Sequence, residues 1–158
     1  DRLVILKPPG WEVCDMHESF QARQLLCFLQ TDSGNTWPIL GDSKFYHGFL
    51  HRLDVPSSGL ILAAKSYEAY YDLRAQLSAG NIAREYFVLC HGWLPSGRSE
   101  IKARVAWIEK GATRSGPQGK PSRTKLRVVA YASHEEDALS LVAIRISTGR
   151  RHQIRSHT

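Results

Sequence analysis

The residue of this chain best suited by type and position to do chemistry is Asp54. It closes the run His51-Arg52-Leu53-Asp54, just ahead of the apolar stretch Gly59 to Ala64. A carboxylate at the point where a loop enters a core is costly to keep ionised unless a cation accompanies it. Loops held by rigid elements are also where catalytic groups are commonly found. By its residues alone the same aspartate reads first as a turn residue ahead of Val55-Pro56, and the catalytic reading stands second to it. Other chemistries find less support. His47 and His51 are four apart, but no glutamate lies between them and Gly48 argues against the helix that a metal pair would need. His152 and His157 have no cysteine or carboxylate companion, so no metal is expected. The chain has neither a G-x-S-x-G elbow nor a G-x-x-x-x-G-K-[ST] phosphate loop.

The elements that must hold these residues are mostly strands. Leu3 to Leu6 reads as a short strand that Lys7-Pro8-Pro9-Gly10 stops, because proline donates nothing to a sheet ladder. Glu18 to Gln30 has a helical pattern, with Ser19 as its N-cap. Gly59 to Ala64 reads as a buried strand, followed by a helix from Tyr67 to Ala79 that Gly80 caps and that presents Tyr70, Leu73 and Leu77 as its apolar stripe. Arg84 to Trp93 is a strand by its Tyr, Phe, Val and Leu content, and Ile101 to Ile108 alternates as a half-buried one. Gly111 to Pro121 reads as a flexible basic loop. Thr124 to Tyr131 and Ala138 to Ser147 read as strands joined by an acidic turn, His134 to Asp137. Together these predict an α+β domain on a mixed, mostly antiparallel sheet flanked by helices.

At 158 residues, the length suits a single domain spanning 1–158, able to bury about two-thirds of the surface its unfolded chain exposes. Twenty-one Lys and Arg against fifteen Asp and Glu give a net charge of +6. Thirteen of those basic residues lie in the last 61 positions, from Arg98 to Arg155, an asymmetry that fits a polyanion-binding face and, on charge alone, equally a solvated basic surface. Cys14, Cys27 and Cys90 form no Cys-x-x-Cys pair, which speaks against a disulfide framework and for a reducing, intracellular compartment, cytoplasmic or organellar. Apolar runs fall far short of the roughly 20 residues of a membrane helix, so no membrane partner is expected.

HRLDVPSSGLILAAKS resembles the stretch around the catalytic aspartate of RluA-type RNA pseudouridine synthases, which reads H-R-L-D, two variable residues, then S-G-L, apolar residues and a lysine. Further matches follow the family's order. DRLVILKPPG resembles its opening strand and K-P-x-G turn, AREYFVLCHG its K/R-E-Y strand, KPSRTKLRVVAY its threonine-bearing strand, and TGRRHQIRSH its T-G-R-x-H-Q-I/L-R element. The resemblance implies the pseudouridine synthase fold and conversion of uridine to pseudouridine in ribosomal or transfer RNA, with the target base flipped out and no cofactor. It makes Asp54 the catalytic carboxylate, Tyr86 the aromatic against the target base, and Arg155 the cation paired with the aspartate. His51, Arg52, Arg150, Arg151, His152 and Gln153 are then expected around the RNA. Physically, a guanidinium keeps a buried carboxylate ionised and fixes its direction, and a tyrosine ring stacks on a base. The plainer readings are a core position for Tyr86 and phosphate contacts for Arg155. Family members continue beyond the last motif with a helix and more sheet, so by resemblance the catalytic domain is partial at its C-terminus. Trp37-Pro38-Ile39-Leu40-Gly41-Asp42 resembles a segment that members carry after that motif. The alternative from another class is a non-catalytic RNA-binding or ribosome-associated scaffold with this fold.

Overall fold

The computed structural model describes residues 1–14, 23–33, 36–106, 113–134 and 137–158. The chain divides into two compact units, Asp1–Asn81 and Ile82–Thr158.

In the first unit, strand β1 (Arg2–Lys7) leads to the two-residue strand β2 (Trp11–Glu12), which runs parallel to β3 (Arg23–Gln24). Helix α1 (Leu25–Ser33) follows, then 3₁₀ segments at Pro38–Gly41 and Ser43–Gly48, strand β4 (Gly59–Ala64) and helix α2 (Tyr67–Ala79). The expected helix over Glu18 to Gln30 is met only in part: α1 begins at Leu25, and the expected cap Ser19 lies outside the described residues. β1 and β4 pair antiparallel from Arg2↔Ala64 to Lys7↔Gly59. Leu3, Ile5, Ile61 and Ala63 therefore turn to one side, where they join Val13, Leu25, Leu26, Leu29, Leu40 and Phe49 in the core. α2 begins where the Ser66 hydroxyl accepts from the Ala69 amide at 3.2 Å, and ends at left-handed Gly80. Ahead of the Asp54 loop the backbone is tightly constrained. Tyr46 and His47 are left-handed, and Phe45 meets Tyr67, Tyr70 and Tyr71 edge-on at 4.8, 5.5 and 5.7 Å between centroids.

Among its described residues the second unit is a five-stranded antiparallel sheet with one short helix. Its strands are β5 (Arg84–His91), β6 (Glu100–Ala106), β7 (Arg114–Ser115), β8 (Lys120–His134) and β9 (Asp137–Ile146), in the order β5-β9-β8-β6-β7. Helix α3 (Gln153–His157) follows. Period-two alternation puts Cys90, Leu126, Val142, Ile144 and Ile146 into one core cluster, with Tyr86, Val88, Leu94, Ile101 and Ile154 against it. The basic loop expected over Gly111 to Pro121 proves shorter. Residues 111 and 112 lie outside the described residues, while Arg114 and Ser115 pair with Ala106 and Val105, and Pro121 falls inside β8. Proline is tolerated there because β8 pairs with β9 only from Thr124 onward, so the missing N–H faces no partner strand. Positions 107 and 108 of the strand expected to Ile108, and 135 and 136 of the acidic turn, also lie outside the described residues. Among the described residues no helix is long and apolar enough to cross a membrane.

Candidate active site

Asp54 is half-buried in a loop that three separate contacts fix in place. The Lys7 side chain, with no exposed surface, donates from Nζ to the carbonyls of Pro8 at 3.0 Å, Trp11 at 2.7 Å and Val55 at 3.2 Å. Three ammonium donors thus meet three acceptors. Val55 also accepts from the Gly10 amide at 2.8 Å, so the K-P-P-G turn and the residue next to Asp54 are bound together. Burial lowers the Lys7 pKa, and the nearby negative charge of Asp54 acts against that shift. The buried ammonium thus lies within the electrostatic reach of the carboxylate, in the same unit. Beyond the aspartate, the Ser57 amide donates to the Asp54 carbonyl at 3.0 Å, closing the turn into β4.

His51 holds the other end of the loop. Its Nε2 accepts from the Leu62 amide at 3.2 Å, which places the ring proton on Nδ1, while the Leu50 amide donates to the Leu62 carbonyl at 3.0 Å. Arg52 points outward and lies 3.8 Å from Glu12. Of these two, Arg52 is the one available to a ligand from solvent.

In the second unit Tyr86 stands half-buried on β5, opposite Ile144, with its ring in the cluster that Ile154 of α3 completes. Burial raises its pKa and the Arg84 charge opposes the shift, so the phenol keeps its proton at neutral pH and can donate. The T-G-R-R-H-Q segment is organised from inside by Gln153, which is 2% exposed. Its amide nitrogen donates to the Arg123 carbonyl at 3.1 Å and the Thr124 hydroxyl at 3.0 Å. Its carbonyl accepts from the Thr148 hydroxyl at 2.8 Å and the Arg150 amide at 3.1 Å. An amide so engaged pins the loop to β8 and is not presented to solvent. His152 is left-handed, its Nδ1 3.1 Å from the Thr113 hydroxyl, and it starts α3. Arg150, Arg151 and Arg155 are all exposed. Gly149 lies over Arg84, whose guanidinium donates to the Ser147 carbonyl at 2.9 Å; a Cβ at 149 would be 2.5 Å from Arg84 Nη1. His157 shares the Thr124 hydroxyl at 2.9 Å, and burial lowers its pKa.

Lys7 and Thr124 lie inside matched motifs, the K-P-x-G turn and the threonine-bearing strand, but motif reasoning gives neither a role. The sequence marks Lys7 as part of a strand-ending turn, although a lysine at the inward position of an alternating strand is itself a signal of a buried, bonded charge.

Three comparisons bear on this arrangement. The family model for RNA pseudouridylate synthase matches residues 2–158. Ribosomal large subunit pseudouridine synthase D of Nitrosomonas europaea is 36% identical over 119 residues, covering 70% of this chain and 31% of that protein. The enzyme of the same name from Zymomonas mobilis is 30% identical over 159 residues, covering 98% of this chain and 48% of that protein. The chain therefore spans about a third to a half of the length of these curated relatives. Human RNA pseudouridylate synthase domain containing 1 superposes with a TM-score of 0.65 at 23% identity, over 98% of this chain and 60% of that chain, which shows the same α+β fold. With its motifs in family order and the family model matched from the second residue to the last, the chain belongs to the RNA pseudouridylate synthase family.

Proposed function

We propose that the protein converts uridine to pseudouridine in RNA with Asp54 as the reacting carboxylate. The observation that carries this reading is the Asp54 loop itself: a half-buried aspartate whose flanking backbone is held by a fully buried lysine, a glycine amide and a histidine ring. So much polar structure around one acidic residue fits a carboxylate that must be aimed, since catalytic groups need positions fixed to a fraction of an ångström. Family membership supplies the reaction class.

In that reaction the bond from uracil N1 to C1′ of ribose breaks and a bond from C5 to C1′ forms. C5 loses its proton and N1 regains one, so there is no net oxidation or hydrolysis. Asp54 acts either as the nucleophile at C1′ or as the base that removes a proton from C2′. Side chains suffice for either path, and no cofactor is invoked. The uridine is flipped from its stack at a cost of a few kcal/mol. Tyr86, with its neutral phenol, and Arg155 take the base-facing and cation roles that the resemblance implies. Arg52, Arg150 and Arg151 contact RNA, whereas His51 and Gln153 serve by holding their loops. The relatives' names support ribosomal RNA as the first candidate substrate, ahead of transfer RNA.

The test is pseudouridine formation in bulk RNA by the parent protein and by Asp54→Asn, with folding matched by circular dichroism. Product from the parent and at least a thousandfold less from the variant is the expected result. Equal product from both would remove Asp54 from the chemistry. RNA binding without product in either would make the protein a scaffold.

A further inference from the structure

We infer that the solvent face of the five-stranded sheet, opposite the face that carries Tyr86, is a second RNA-contact surface that grips unpaired RNA flanking the target. This deepens the proposed function and rests on the reading that the protein acts on RNA. The argument begins with charge. Residues 82–158 hold fourteen Lys and Arg against six Asp and Glu, net +8, whereas residues 1–81 hold seven against nine, net −2. The polyanion partner is therefore a matter for the second unit.

Strand alternation then sorts those charges. Tyr86, Val88, Leu126, Val142 and Ile144 turn toward α3 and the core, so the residues between them turn the other way. On that outer face Lys102 stands opposite Arg123, and Lys125 opposite Arg145. Like charges directly across a ladder destabilise it, and here two such pairs are neighbours. Glu100 bonds Arg123 and lies 3.0 Å from Lys102, and Glu85 lies 3.9 Å from Arg145. Glu100 also stands opposite Lys125 in the ladder, but among the described residues its ion pairs go to Lys102 and Arg123, and neither Lys125 nor Arg127 is in an ion pair. Arg123, Lys125 and Arg127 follow one another along β8 at about 6.8 Å intervals, a row of cations on a flat surface.

The same face carries exposed apolar groups. Phe87 is 76% and Leu89 63% exposed, and Phe87 lies in register with Ala143 and, one strand further, with Arg127. Cations that track a backbone, beside an uncovered aromatic ring on which a base can stack, are the two components of a surface for unpaired nucleic acid. An uncharged protein partner would use the apolar row but leave Lys125 and Arg127 without a counter-charge. RNA uses both, and from this face it leaves Tyr86 unobstructed.

The experiment compares the full protein with Lys125→Thr/Arg127→Thr and with Phe87→Thr, all at exposed strand positions where threonine suits the sheet. A uridine-containing single-stranded RNA is titrated at several salt concentrations, and pseudouridine formation is followed separately. Losing two phosphate contacts lowers the slope of log affinity against log salt by about 1.4. Phe87→Thr weakens binding about fivefold or more at unchanged slope. Both raise KM and leave kcat within twofold, because neither residue touches the reacting base. Affinity and slope equal to the parent's would overturn the inference even while pseudouridine forms. Loss of self-association in sedimentation, with RNA binding intact, would overturn it in favour of a second copy of the chain. A parent that binds RNA through this face yet makes no pseudouridine would sink the proposed function and leave the surface standing.

Discussion

Replacing Lys7 with methionine isolates the role of the buried ammonium. Methionine keeps the length and apolar stem of the side chain, so packing around a site with no exposed surface is nearly preserved. What vanishes is one charge and its hydrogen bonds to Pro8, Trp11 and Val55. Bonds to a charged group contribute about 1.5–3 kcal/mol each. Three such bonds from a single ammonium do not add, and removing the lysine also removes several kcal/mol of desolvation cost. The net loss is therefore set at about 2–4 kcal/mol, less than the bond sum and comparable to losing one side of a buried pair. Val55 keeps its bond from Gly10, so the loop loosens without detaching. At about 2–4 °C per kcal/mol for a chain of this size, the melting temperature falls by roughly 10 °C. Scanning calorimetry measures that shift, and pseudouridine formation is assayed well below the variant's transition. With the backbone beside Asp54 no longer held by the ammonium, kcat drops at least tenfold under conditions where the variant is folded. Lys7→Arg is the companion: a planar guanidinium cannot reproduce three bonds converging on one nitrogen, so it restores little. A methionine variant that melts with the parent and is equally active would refute the reasoning, because the ammonium would then hold nothing.

Two further perturbations test the second unit. Because burial lowers the His157 pKa, the unfolded chain binds the proton first as pH falls below about 6.5. Stability is thus full above that value and declines down to the folded-state pKa; His157→Asn should flatten this acid-side slope in melting curves taken across the mildly acidic range. Gly149→Ala would set a methyl group 2.5 Å from an Arg84 nitrogen that is anchored through Ser147, and should cost about 1–2 kcal/mol by urea unfolding. Adding Arg84→Ser should recover most of that cost, and a purely additive double variant would show that the two do not press on each other.

Local chemistry makes much of the fold legible in the sequence. The strand over Gly59–Ala64 and the helix over Tyr67–Ala79 with its Gly80 cap have the expected bounds, because apolar runs, helix periodicity and a left-handed glycine act over a few residues. β5, β8 and β9 follow their β-branched and aromatic content, within a few residues at their ends. Resemblance to the family's motifs, rather than spacing by itself, is what assigns roles to Asp54, Tyr86 and Arg155, and the family to which those motifs point is the one the whole chain matches. The short strand at Arg114–Ser115 is not legible in the same way. Glycines and prolines around it signal a loop, while its pairing to β6 depends on an edge that only the assembled sheet provides.

What the tertiary structure decided was partnership. Sequence spacing marks Lys7 as the start of the turn that stops a strand; only the folded chain brings the Val55 carbonyl, 48 positions away, onto its ammonium. Gln153 reads as a surface residue among arginines, and only the register of β8 beneath it turns its amide inward to Thr124. The basic residues of the second unit are visible in the sequence as a count. The sorting of Lys102, Arg123, Lys125, Arg127 and Arg145 onto a face away from Tyr86 comes from strand pairing, since a register slip of one residue would exchange the two faces. Residue types and near-neighbour spacing determine which elements form and which groups could react. Long-range pairing determines which of those groups are buried, which meet, and which remain free to meet RNA, because contacts between distant segments are not encoded in any local window of the chain.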